Sequence, residues 1–290
     1  LTAGCKFNRN RITKLKGVSY LKISFSTLGC PRWTLNEVIS TAKDLGLDGV
    51  EIRGIGDIMY APDIEEFSKS NIEATKERLK NIGLTIPILT SGAALADKEN
   101  AQASFVEACA YVNLAGKMGV PFIRVMGTGE PQVTPGDFDL GAKLYGLLCE
   151  YASLFGVTPL IETNGALSDS EKMLAFIKSA GSENCGVLWD IHHTVCFAGE
   201  EPKFTVEKLG SFIKHVHVKD SAIADGRIEY RMMGYGNIPV TDSLKALKDI
   251  NYGGFVSLEW VKRWNPDLQE PGIVFAHFKS YMDMLLSNIV

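Results

Sequence analysis

The 290-residue chain has no apolar run of the roughly 18 residues or more that a membrane-spanning helix needs, so no such helix is expected. Its six cysteines (Cys5, Cys30, Cys109, Cys149, Cys185 and Cys196) form no CxxC pair and follow no repeating spacing. Most lie within apolar helix or strand patterns, where a free thiol packs as a small hydrophobe, so no disulfide framework is expected and a reduced, cytoplasmic setting is. There is no basic surplus: 30 Lys and Arg stand against 34 Asp and Glu, a net charge of −4, which argues against a dedicated nucleic-acid binder. No glycine-rich phosphate loop follows the first apolar run, where FSTLGCP (25–31) does not match GxGxxG, so a Rossmann fold has little support. No linker or low-complexity stretch divides the chain. The first 20 residues carry Lys6, Arg9, Arg11, Lys14 and Lys16 and lack an apolar signal core; residues 1–20 read as a tail and 21–290 as one catalytic domain.

What the chain does have is alternation. With 46% hydrophobic residues it can bury a sizeable core. Short β-rich runs are predicted at 21–26, 49–53, 84–89, 122–127, 158–163, 186–191, 213–219 and 255–260. Helical patterns lie between them, near 34–45, 64–82, 100–118, 137–155, 170–180, 205–211, 241–249 and 272–288. Thr34 and Glu37 have capping-box spacing, and Gly46, Gly83, Gly119, Gly156 and Gly181 follow helical patterns as left-handed caps do. Eight strand–helix units in strict alternation predict a parallel sheet, and the count favours a closed (β/α)₈ barrel, a TIM barrel, over an open sheet.

Four polar residues punctuate the later apolar runs: Glu162 in PLIETN, Asp190 in GVLWDIHH, His217 in IKHVHVKD and Glu259 in GFVSLEW. A charge at the end of a buried strand is costly unless it is used. In a barrel, the carboxyl ends of strands five to eight converge at one mouth, where active sites lie. Three carboxylates and an imidazole there make a site for one divalent cation, with Mn²⁺ favoured and Mg²⁺, Co²⁺ or Zn²⁺ as alternatives.

HVHVKD (215–220), GYGNIP (234–239) and YGGFVSLEW (252–260), in that order, resemble the C-terminal third of the sugar phosphate isomerase/epimerase superfamily, the xylose isomerase-like barrels that include endonuclease IV. The resemblance spans residues 21–290. It implies that Glu162, Asp190, His217 and Glu259 are metal ligands, that Glu162 and Glu259 exchange a proton with the substrate, and that His193 contacts it. The implied activity is isomerisation or epimerisation of a sugar or polyol through a metal-stabilised enediolate; dehydration of an inosose type, or a lyase needing a partner subunit, would use the same site. An endonuclease IV-like repair enzyme is disfavoured, because a trinuclear zinc cluster needs more histidines than the five present. Ketose 3-epimerases carry a second glutamate where this chain has Ser168 and an arginine where it has Ile223, with Arg227 or Arg231 as substitutes from the same loop.

Further candidates for substrate contact are Lys219, beyond His217; Glu51 and Arg53, on one face at the end of strand two, with a mutual ion pair as the alternative; and Trp33, as a pocket wall or a cover. His215 is expected to be structural. His192 and His193, if extended, point opposite ways, with His193 facing the site. A small carbohydrate or polyol is the expected partner, and aromatic residues near Tyr230–Tyr235 suggest a homo-oligomer contact.

Overall fold

The computed structural model describes residues 21–225 and 227–289; the tail read at 1–20 lies outside them. Ten strands follow in chain order: β1 (Lys22–Ser26), β2 (Gly49–Glu51), β3 (Ile88–Ala94), β4 (Phe122–Met126), β5 (Thr158–Glu162), β6 (Gly186–Asp190), β7 (Ile213–Val218), β8 (Asp220–Ala224), β9 (Arg227–Arg231) and β10 (Phe255–Leu258). Among the described residues nine α-helices accompany them: α1 (Leu35–Asp44), α2 (Ile72–Ile82), α3 (Ala101–Met118), α4 (Phe138–Ser153), α5 (Ser170–Ala180), α6 (Ile191–Ala198), α7 (Pro202–Leu209), α8 (Val240–Asp249) and α9 (Pro271–Ile289).

Eight strands form one parallel sheet in the order β2-β1-β10-β7-β6-β5-β4-β3. Parallel bridges from Gly49 to Thr85 and from Ile52 to Leu89 join its two ends, so the sheet curls into the expected barrel. The third strand begins at Ile88 rather than at residue 84. Pro87 has no N–H for the ladder, and only Thr85 of the preceding segment bridges to β2. The helix expected from residue 64 starts at Ile72, because residues 61–67 form two short 3₁₀ turns and the Asn71 side chain bonds back to Glu65.

The two faces of the strands do different work. Outward residues such as Val50, Ile123, Ile161, Val187, Trp189, Val216 and Val256 pack in the main core between barrel and helices. The inward set begins with a small separate cluster of Ile88, Leu160 and Leu188, against which Phe122 packs. Side chains repeat every second residue along a strand, so the layer above this apolar floor is Thr90, Arg124, Glu162 and Asp190. Local capping fixes the helices around it: Thr34 and Glu37 close a capping box on α1, and Gly83 and Gly119 end α2 and α3 in left-handed conformations.

Two elements depart from the expected pattern, both at the barrel mouth. Residues 191–198 form α6 rather than extended chain, with Asp190 as its N-cap: Asp190 Oδ1 accepts from His193 N at 3.1 Å. His192 and His193 therefore diverge as helical neighbours and not as strand neighbours. After β7 the chain folds into the antiparallel β8–β9 hairpin, turning at Asp225 with a φ of 51°.

Candidate active site

Glu162, Asp190, His217 and Glu259 meet at the carboxyl end of the barrel. Their facing ligand atoms all lie within 4.8 Å of one another, and all four residues are buried. His217 Nδ1 is 3.3 Å from Glu162 Oε1, 3.5 Å from Glu259 Oε1 and 3.8 Å from Asp190 Oδ2. The backbone places each with little freedom. Glu259 N donates to Val218 O at 3.0 Å, extending the β10–β7 ladder by one step, and Asp190 N donates to Thr163 Oγ1 at 2.8 Å.

Glu51, at the end of β2, is wholly buried. Its Oε2 accepts from His217 Nε2 at 2.8 Å and from His215 Nε2 at 3.0 Å. An ionised carboxylate only accepts, so both imidazoles donate from Nε2, and His217 turns Nδ1 toward Glu162, Asp190 and Glu259. Burial pushes the Glu51 carboxyl up, but the two imidazoles outweigh it and hold the acid well below its usual range. His217 shows the converse: burial opposes its positive charge, while Glu51 and Glu259 raise its pKa well above that of a free imidazole.

Two cations complete the ring. Arg124 Nη1 donates to Glu162 Oε2 at 2.9 Å and lies 3.9 Å from Glu259 Oε1, while its Nη2 donates to Ser91 O at 2.6 Å. Lys219 Nζ bonds Asp190 Oδ2 and donates to Glu259 Oε2 at 2.6 Å. Burial again favours the neutral forms, yet Glu162 falls to about 2, chiefly through Arg124, and Lys219 is raised by Asp190 and Glu259.

With His217 neutral, as a cation on its Nδ1 would require, four carboxylates (Glu51, Glu162, Asp190, Glu259) face one guanidinium and one ammonium, which leaves two negative charges. A divalent cation would neutralise them. The polar atoms agree: His217 Nδ1 and Glu162 Oε1 are buried and have no hydrogen-bond partner among the described residues. In a buried setting such atoms are costly unless something binds them. Three carboxylate oxygens and one imidazole nitrogen suit a borderline or hard divalent ion, so the residues fit the metal that the fold implies.

The other candidates divide. His193 Nδ1 donates to Thr163 O at 3.1 Å, which leaves its Nε2 as an acceptor. His215 supports Glu51. Glu51 and Arg53 are not an ion pair, since Glu51 is taken by the two histidines. Lys219 reaches the ligand carboxylates themselves. Trp33 packs edge-on against Phe275, with ring centroids 5.7 Å apart, and makes no hydrogen bond or ion pair with the ring of ligands among the described residues. At the positions that differ from the ketose 3-epimerase pattern, buried Ser168 Oγ donates to Gly165 O and Ile223 is 68% exposed on the hairpin. Arg231 is paired with Glu229 on the exposed face of β9, and Arg227 is likewise exposed. Tyr230 stacks on His192 at 5.6 Å, whereas Tyr235 is 67% exposed.

Arg124, Thr163 and the hairpin residue Ser221, which sits 2.9 Å from His192 Nε2, were not singled out from the sequence. Arg124 carried a signal: a guanidinium within the apolar run FIRVM is as costly as a carboxylate at a strand end.

The model of the xylose isomerase-like TIM barrel family matches residues 39–278. The chain belongs to that family. Among curated relatives it is 24% identical over 256 residues to fructoselysine 3-epimerase of Shigella flexneri, covering 83% of this chain and 90% of the relative. It is likewise 24% identical over 272 residues to D-psicose 3-epimerase of Agrobacterium fabrum, covering 85% and 84%. Among solved structures, the IOLI protein with a zinc atom shares the fold at a TM-score of 0.77 and 16% identity, covering 93% of this chain and 99% of that one. At the family level these relatives support an isomerase or epimerase. No helix among the described residues is long and apolar enough to cross a membrane.

Proposed function

We propose that this family member is a divalent-metal-dependent isomerase or epimerase of a small sugar or sugar derivative. The observation that carries the reading is the convergence of Glu162, Asp190, His217 and Glu259 with two ligand atoms left unpartnered. Glu162, Asp190, His217 and Glu259 would hold the ion, with Mn²⁺ favoured. A bound divalent cation supplies Lewis-acid polarisation of a substrate carbonyl and offsets the negative charge that develops when the adjacent C–H proton leaves.

The chain's own part is proton transfer and orientation. Glu162 and Glu259 flank the position of the substrate, one taking the proton and the other returning it. Return on the opposite face of the same carbon gives epimerisation; return to the neighbouring carbon gives isomerisation. Arg124 keeps Glu162 ionised, the form in which it can accept a proton. His193 Nε2 and Lys219 line the same mouth and would orient substrate hydroxyls. Names of relatives make D-psicose and fructoselysine the first substrates to try.

Ser168 and Ile223 stand where the ketose 3-epimerase pattern has a glutamate and an arginine, so loss of water from the same site is kept as a second reading.

The test is proton exchange. Wild type is expected to bind about one divalent ion per chain and to wash deuterium from D₂O into the carbon next to the ketose carbonyl. Asp190→Ala should lose the metal, and Glu162→Gln should lose exchange. Full turnover by Glu162→Gln, or no metal after reconstitution, would overturn the assignment.

A further inference from the structure

Two residues beyond Glu51, and therefore on the same inward face one step nearer the mouth, stands Arg53. Its backbone is fixed, since Arg53 N donates to Thr27 Oγ1 at 2.9 Å. Its guanidinium is not. Among the described residues its one hydrogen bond is from Nη1 to Met59 O, at 3.5 Å, and no carboxylate lies within 4.0 Å to form an ion pair. The acid on neighbouring α3, Glu107, favours the charge of Arg53 at longer range but forms no ion pair with it, and its Oε1 accepts from Gly92 N at 2.7 Å. Gly92 leaves the space that the guanidinium fills: a Cβ there would come within 3.3 Å of Arg53 Nη2.

Arg124 is the second guanidinium at this end of the barrel, and it is satisfied by Glu162 and Ser91. Burial, and next the like charge of Arg124, bring Arg53 down to about 10 against the opposing pull of Tyr111, Glu107 and Glu259. With a divalent cation bound, the four carboxylates, Arg124 and Lys219 already sum to zero, so the ring as a whole supplies Arg53 no net counter-charge. A half-buried guanidinium at the mouth, with most of its five donors unfilled, is built to take a two-oxygen anion side by side.

We infer that the substrate is anionic, and that Arg53 receives a carboxylate or phosphate on the part of the sugar that extends away from the ligand ring. This inference rests on the sugar-enzyme reading of the same site and narrows its substrate class. A neutral ketose would fill the ring but leave Arg53 unpaired.

The test is calorimetric binding to the metal-loaded full chain, using three ketose probes: D-fructose, 5-keto-D-gluconate and D-fructose 6-phosphate. At least one anionic probe is expected to bind roughly tenfold or more tightly than D-fructose, with a gain that shrinks as salt is added. Arg53→Met should remove that gain while leaving metal content unchanged. Arg53→Lys, which keeps the charge but not the fork, should retain part of it and guards against a folding defect in the first variant. Whichever anionic probe loses more on Arg53→Met names the group.

The inference is overturned if neutral and anionic probes bind equally, if the gain survives Arg53→Met, or if no anionic probe binds. Its failure is separable from that of the proposed activity. Arg53-dependent binding without proton exchange would sink the epimerase reading alone. Exchange on neutral ketoses with no Arg53 dependence would sink this one alone.

Discussion

His217 Nε2 donates to Glu51 Oε2 at 2.8 Å, and that bond decides which ring nitrogen faces Glu162, Asp190 and Glu259. Glu51 groups with His215 and His217 rather than with the three carboxylates, so its role is to fix the angle of the imidazole. Glu51→Gln keeps the shape but loses the charge. Metal affinity is expected to fall by roughly ten- to a hundredfold, measured by competition with a chromophoric chelator. Unchanged affinity would mean that His217 is oriented by packing alone.

Arg124 and Glu162 form a buried pair, 6% and 2% exposed at the side chain. Removing one partner strands the other in a site that solvates charge poorly. Arg124→Met is expected to destabilise the metal-free protein by about 3–5 kcal/mol. The double variant Arg124→Met/Glu162→Gln should recover much of that loss, because the stranded charge has gone. Urea unfolding of the four proteins closes the cycle, and simple additivity would refute the coupling.

Buried thiols set an upper pH limit. Burial pushes Cys149 up to about 12 and Cys30 higher still, against an ordinary value of 9.0. The unfolded chain therefore releases these protons first. Their contribution is fully present below pH 9.0 and lost as pH rises beyond it, at up to ~1.4 kcal/mol per pH unit for each thiol. In urea melts from pH 8 to 11, Cys149→Ala should show a shallower decline than wild type; an identical slope would rule the thiol out.

The barrel and the four residues that meet at its mouth were legible because each signal was local: an apolar run, a terminal charge, a capping residue. What was missed depended on partners distant in sequence or on a pattern not weighed. Glu51 meets His217 across 166 positions, so its service to the imidazole rather than to Arg53 appears only once β2 and β7 face each other across the barrel. Arg124 lay inside an apolar run, whereas the ligands were sought at strand ends. The β8–β9 hairpin was in fact written locally, in alternating residues about Asp225 and the glycine after it, the strongest short hairpin signal. Helix α6 was hidden for the opposite reason. Asp190 serves as both the end of β6 and the cap of α6, so one residue closes a strand and opens a helix with no loop to mark the change.

Metal removal should register as lost stability. A ligand at about a hundred times its Kd stabilises by about 2.7 kcal/mol, which for a chain of this size is roughly 5–10 °C in Tm. Adding excess Mn²⁺ to chelator-treated protein should raise Tm by that order. Asp190→Ala should show no rise, and a rise equal to wild type would place the ion elsewhere.

Lys219 shares Asp190 Oδ2 with the position that the ion would take, and it also holds Glu259. In the metal-free protein it is one of the side-chain cations that hold the carboxylates together, so removing it leaves the ring more negative. Lys219→Met is therefore expected to lower the metal-free Tm and to enlarge the rise on adding Mn²⁺, because the ion then supplies counter-charge that the ammonium had provided. The two Tm values are read in one titration, with and without chelator. A smaller rise than in wild type would show that Lys219 helps to build the metal site rather than competing for its ligands.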